Sequence, residues 1–127
     1  MFTKNSQPVA IRAAAILTGS YVAGTTIQNA HNYNQLTIEV DYTQGSLTSL
    51  EIKVEFSRDG VTFFQDINIS PSSGVNTIIP SSYTYTGAAA KFSIDLAINT
   101  NFIKVSAKGT GTATSSSLAI SGTLALV

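Results

Sequence analysis

Seven carboxylates and one histidine supply almost all the acid–base and ligand chemistry this chain could offer, since it contains no cysteine. Two pairs of carboxylates have suggestive spacing. Glu39 and Asp41 alternate along one stretch, and Glu51 and Glu55 along the next. Placed side by side, two such stretches would hold carboxylates about 5 Å apart, the separation a retaining glycosidase uses. Three features argue against that chemistry. Lys53 sits between Glu51 and Glu55, there is no tryptophan to build a sugar platform, and no apolar setting would raise one of the two pKa values. The charged positions read instead as the solvated face of a sheet. His31 stands alone in an Asn-rich stretch and cannot complete a triad or a zinc site by itself. Asp59 and Asp66 lack the spacing of a calcium loop, and Asp59-Gly60 reads as a tight turn. No catalytic, cofactor-binding or metal-binding residue is expected, and the chain is read as non-enzymatic.

The elements around these residues are strands. In residues 35–42, Leu36, Ile38, Val40 and Tyr42 alternate with Gln35, Thr37, Glu39 and Asp41; in residues 50–57, Leu50, Ile52, Val54 and Phe56 alternate with Glu51, Lys53 and Glu55. Period-two alternation of this kind marks half-buried strands. With a short Gly45-containing linker between them, the two are expected to pair as an antiparallel hairpin. Residues 9–17 and 21–27 read as earlier strands, with Gly24 marking a bend. The chain returns after Asp59-Gly60 as 61–69, loops through 71–76, and forms a short strand at 77–79 stopped by Pro80. Alternation resumes in 88–98 (Phe92, Ile94, Leu96 and Ile98 inward) and 102–108 (Ile103, Val105 and Ala107 inward). Residues 109–116 read as a hairpin tip before a last apolar strand. That strand carries no charge, which places it either centrally in its sheet or at a subunit interface. About eight to nine strands and no helix predict an all-β, single antiparallel β-sandwich, jelly-roll or other Greek-key. Residues 1–8 are expected to form a flexible arm, and residues 9–127 the single domain.

Charged residues make up 11% of the chain, against about 25% in ordinary soluble proteins, and the formal net charge is zero. A neutral Ser/Thr/Asn/Gln surface tends to associate. The basic residues are scattered, so neither nucleic acid nor an anionic membrane is an expected partner. No segment reads as a signal peptide or a membrane span, and folding in a cytoplasm is expected. The aromatic residues mark the candidate partner interface. Phe63 and Phe64 are adjacent in a strand, so one must face away from the core. Tyr83 and Tyr85 share a side, and Phe2 could anchor the arm. A protein interface is favoured over a glycan site for this set.

The run LEIKVEFSRDGVTFFQDI, in which a strand ends in Ser-x-Asp-Gly and an aromatic strand follows, resembles a pattern of small bacteriophage virion proteins. NFIKVSAKGTGTA followed by an apolar closing strand is similar to the same group. The resemblance spans residues 35–127. The chain departs from the group in carrying Phe63 and Phe64 where a Trp often follows the turn. The group includes jelly-roll capsid decoration (cement) proteins and β-sandwich components of necks, tails and fibres. The resemblance implies a homo-oligomer, commonly a trimer, that binds virion proteins such as the major capsid protein, is made in the host cytoplasm and ends in the virion. It implies no cofactor.

Overall fold

The computed structural model describes residues 5–112 and 115–127. Eleven strands and one 3-10 turn, Ala30–Asn32, follow in order: β1 Asn5–Ala15, β2 Val22–Ala23, β3 Gln35–Thr43, β4 Leu47–Ser57, β5 Phe64–Gln65, β6 Ile67–Ser72, β7 Val75–Pro80, β8 Tyr83–Tyr85, β9 Ala90–Ala97, β10 Phe102–Gly111 and β11 Ser117–Leu126. One sheet has the order β1-β11-β3-β9, and the facing sheet β2-β10-β4 carries both β5 and β8 on the far edge of β4. All pairings are antiparallel. The result is a jelly roll. β5 and β8 fill one of its eight strand positions as two halves, and the ribbon β6–β7 is inserted between them. The expectation of eight to nine strands falls short of eleven because the run read as one strand over 61–69 holds both β5 and the start of β6, and because 83–85 forms a strand of its own.

Between the sheets lies one apolar core. Leu36, Ile38, Val40 and Tyr42 come from β3, Leu50, Ile52 and Val54 from β4, Ile103 and Val105 from β10, and Leu118, Ile120 and Leu124 from β11. The inward faces of β3 and β4 are those their alternation predicts. Their pairing is not. β3 lies between β11 and β9, whereas β4 lies between β10 and the β5/β8 edge, so the predicted hairpin is an arch from one sheet to the other. Residues 44–46 can reach about 10 Å when extended, which matches the spacing of packed sheets. The arch is held by Leu47 N–H donating to Gln44 O at 3.1 Å and Gln44 Nε2 donating to Leu47 O at 2.9 Å. At its corner Gly45 has φ +59°, and a Cβ there would lie 2.4 Å from the Ser115 carbonyl carbon. β10 and β11 also sit in different sheets; of the stretch read as a hairpin tip, Gly109 to Gly111 continue β10, and residues 113–114 lie outside the described residues.

The uncharged closing strand β11 is central, between β1 and β3, which resolves its two readings and removes it as a partner surface. Residues 5–8, read as part of the arm, are the start of β1 in register with residues 123–126. The backbone of β11 needs a partner on that side, and β1 supplies it. β1 breaks register between Ala10 and Arg12 and again between Arg12 and Ala15. These bulges leave Ala13 and Ala15 exposed while Ile11 and Leu17 are buried. Arg12 stabilises the second irregularity, its Nε donating to Leu118 O at 3.0 Å and its guanidinium to Ile16 O at 3.0 Å.

Candidate assembly surface

The outward faces of the two sheets hold most of the described charged residues, and several of these neutralise each other locally. On the β4 sheet, Lys108 pairs with Glu51 at 3.3 Å and Lys53 with Glu55 at 3.6 Å. Lys53 and Lys108 both lie over the Tyr21 ring, at 4.6 and 4.7 Å from its centroid. Burial, then the neighbouring Glu51 charge, raises the Tyr21 pKa. On the other sheet Lys91 pairs with Asp41 at 3.7 Å. Because β3 and β4 belong to opposite sheets, Glu39 and Asp41 face away from Glu51 and Glu55 across the sandwich, and the glycosidase geometry does not form. Among the described residues no three His, Cys, Asp or Glu side chains cluster as a metal site would require. His31 is exposed on the 3-10 turn, its Nδ1 donating to Asn101 Oδ1 at 2.6 Å.

The Ser57-Arg58-Asp59-Gly60 turn is built by side chains. Asp59 Oδ1 accepts from the Ser57 hydroxyl and from the Val61 and Thr62 N–H groups, each at 2.9 Å. Ser57 Oγ in turn accepts from Gly60 N–H at 2.9 Å. The Thr62 N–H first, then that of Val61 and the Ser57 hydroxyl, hold the Asp59 pKa down to about 2. The turn delivers Phe63 and Phe64 to opposite sides. Phe63 is half-buried with Lys104 Nζ 4.3 Å over its ring, and Phe64 is 66% exposed. Tyr83 and Tyr85 face the core side of β8, opposite Ile52 and Leu50. Tyr85 packs on Tyr42 edge-to-face at 5.9 Å and on Phe92 at 5.3 Å, whereas Tyr83 stays open. The two aromatic pairs thus flank one edge, one before the ribbon and one after it. Phe2 lies outside the described residues.

The feature that sequence reasoning missed is the ribbon itself. β6 and β7 pair residue for residue from Ile67↔Pro80 to Ser72↔Val75, around a two-residue turn in which Ser73 (φ 49°) and Gly74 (φ 78°) are both left-handed. That is the hairpin geometry whose twist matches its strands. Cross-strand partners share a face, so Ile67, Ile69, Pro71, Ile78 and Pro80 fall on one side with Asn76 as its one polar member, while Asn68, Ser70, Ser72 and Thr77 fall on the other with Val75 and Ile79. All twelve strand residues are exposed, Ile69 by 59% and Ile78 by 67%. No residue from Ile67 to Pro80 carries a charge. The ribbon is tied to the body at its root, where Ser81 N–H donates to Asp66 O at 2.8 Å and Gln65 Nε2 donates to Ser81 O at 2.7 Å. The signal available in the sequence was Ser73-Gly74 between two alternating runs. Pro71 argued for a loop, but an edge position tolerates proline.

No known protein-family profile matches the chain, and no curated protein matches it. Solved structures do resemble it. The SPBc2 prophage-derived protein YomS aligns over 98% of this chain and 96% of its own, at 15% identity and a TM-score of 0.56. The T13 viral particle of infectious bursal disease virus aligns over 97% of this chain at 11% identity and a TM-score of 0.56, and the VP2 subviral particle of the same virus over 96% at 15% and 0.50. This chain spans about a third of the length of those two viral chains, 31% and 32%, and nearly all of the prophage protein. What the chain shares with a prophage protein and with viral particle proteins, at identities this low, is the all-β sandwich fold.

Proposed function

We propose that the chain is a non-enzymatic structural subunit of a virion, a capsid decoration or auxiliary protein that binds the head surface and stabilises it. The observation that carries this reading is the ribbon β6–β7, a projecting, uncharged, aliphatic element that the subunit itself leaves uncovered. Two-stranded ribbons are marginal alone in water, and an exposed apolar face of this kind marks a contact with another protein. The fold likeness to a prophage protein and to viral particle proteins supports the setting. The partners are copies of the chain itself, as a homotrimer, and the major capsid protein, met after folding in the host cytoplasm. A glycan-binding role is less well served, because the Tyr85 ring is engaged by Tyr42 and Phe92 and leaves Tyr83 alone to stack.

The test is co-sedimentation with purified phage heads that lack the protein, together with light scattering on the free chain. Saturable pelleting with the heads and a defined oligomer mass are expected. A chain that stays monomeric and does not pellet with heads would overturn the proposal.

A further inference from the structure

The two sheets close only in part along the side where β8 and β9 form their edges, with Tyr85 reaching Phe92 across it. There Leu50 and Ile52 of β4, Tyr83 and Tyr85 of β8, and Phe92 and Ile94 of β9 line an open cleft of about 390 Å³. No charged side chain lines it. Phe92 and Ile94 are only half-buried although they point to the core side, because β9 is an edge strand with a neighbour on one side only. The projecting ribbon and the cleft are thus both apolar surfaces that the subunit leaves unfinished.

From these, and resting on the assembly reading above, we infer that the ribbon of one copy occupies the β8/β9 cleft of a second copy, with Ile69 and Ile78 turned into it. A second copy fits for three reasons. Both surfaces are uncharged in a chain that charges the outer faces of both sheets, so neither surface selects a charged partner, and each complements the other. The ribbon does not fill its own cleft: all twelve of its strand residues are exposed, and the bonds of Gln65 and Asp66 to Ser81 hold its root. Finally, the root at Ser81 adjoins Ser82 on the rim of the cleft. Donor and acceptor surfaces differ and lie on one edge, so the contact is heterologous and forms a ring where the rotation between copies closes.

The absence of cysteine makes cross-linking a direct test. Ile78→Cys and Ile94→Cys are made in separate chains and co-expressed, and the purified protein is oxidised both free and bound to heads. A disulfide-linked dimer from the mixture, absent from either variant alone, is expected. Ser82→Cys replaces Ile94→Cys as the acceptor if a thermal melt shows that the latter weakens the fold. A linked dimer from Ile78→Cys alone would mean that ribbon meets ribbon and would overturn the inference. So would the lack of any mixed link in both states. If the links fail while the chain still binds heads, the ribbon–cleft contact falls and the structural role stands. If the chain neither associates nor binds heads, both fall.

Discussion

Replacing Ile69 and Ile78 together by threonine separates a ribbon that works by being covered from one that belongs to the subunit's own fold. The two residues are cross-strand partners on the apolar face of β6–β7, and each is more than half exposed, at 59% and 67%. Threonine keeps the β-branched strand preference but places a hydroxyl where a partner would cover it. Burying an isoleucine fully stabilises by about 1.5–3 kcal/mol. Scaled by the fractions still exposed, a partner that covers both gains about 2–4 kcal/mol per contact, or about 30- to 900-fold in association. In the monomer the same substitutions act at the surface, where changes stay within about 0.5 kcal/mol.

The assay is sedimentation velocity over a concentration series, beside a thermal melt of the dilute chain. Association is expected to weaken by at least about 30-fold while the melting midpoint holds. An Ile79→Thr control, on the opposite face beside Asn68, is expected to weaken association less. Unchanged association of the double variant would refute the reasoning. A large fall in the monomer's melting midpoint would refute it differently, by showing that the ribbon's apolar face belongs to the subunit's own stability.

Three further outcomes test the fold. Gly45→Ala forces a left-handed φ on a residue with a Cβ, at about 1–2 kcal/mol, and drives that Cβ into the Ser115 backbone; a denaturant titration is expected to show a loss above that range. The Tyr42 hydroxyl is buried and makes no hydrogen bond to any described residue, so Tyr42→Phe is expected to leave stability unchanged or raise it by about 1 kcal/mol in the same titration, whereas a clear loss would show that the hydroxyl is satisfied. Asp59 is held at a pKa of about 2 in the folded chain, below about 3.9 when unfolded. Its contribution is therefore complete above about pH 4 and disappears as pH falls toward 2, and melts across that window should show Asp59→Asn losing less than the parent chain.

Period-two patterning reports which side of a strand is buried, and in β3 and β4 it does so faithfully, whereas the bulges of β1 defeat it. Leu36 to Tyr42 and Leu50 to Val54 are core residues at the predicted positions. It cannot report which strand lies alongside, because an arch and a hairpin bury the same face and differ only in how the two strands are related. That is why the 35–57 segment reads as a hairpin, and why two carboxylate pairs that never meet look like neighbours. The Asp59 turn was legible because its chemistry is local: Ser57, Asp59 and the next backbone N–H groups satisfy one another. The ribbon was not, since Pro71 is a strand breaker in a central strand and harmless on an edge. The aromatic pairs were recognised by type, but their position on either side of the ribbon depends on the split edge strand β5/β8, which no local pattern encodes.

The distribution of charge separates the surfaces of this neutral chain that discourage association from those that leave it open. The three ion pairs between Lys53 and Glu55, Lys91 and Asp41, and Lys108 and Glu51 are open to solvent to different degrees, and such pairs add little stability, about 0–1 kcal/mol. Their placement matters more than their energy. They lie on the broad outward faces of the two sheets, the flat areas that would otherwise stack on another copy. The sheet edges are guarded separately. β1 carries Pro8 and two breaks in register, and β9 carries Lys91 and Asp95, devices that discourage indiscriminate strand pairing. The ribbon and the adjoining cleft have no charge at all. The few charges thus lie where association would be unselective, and under the assembly proposed above the uncharged ribbon and cleft are the surfaces left open to a specific partner.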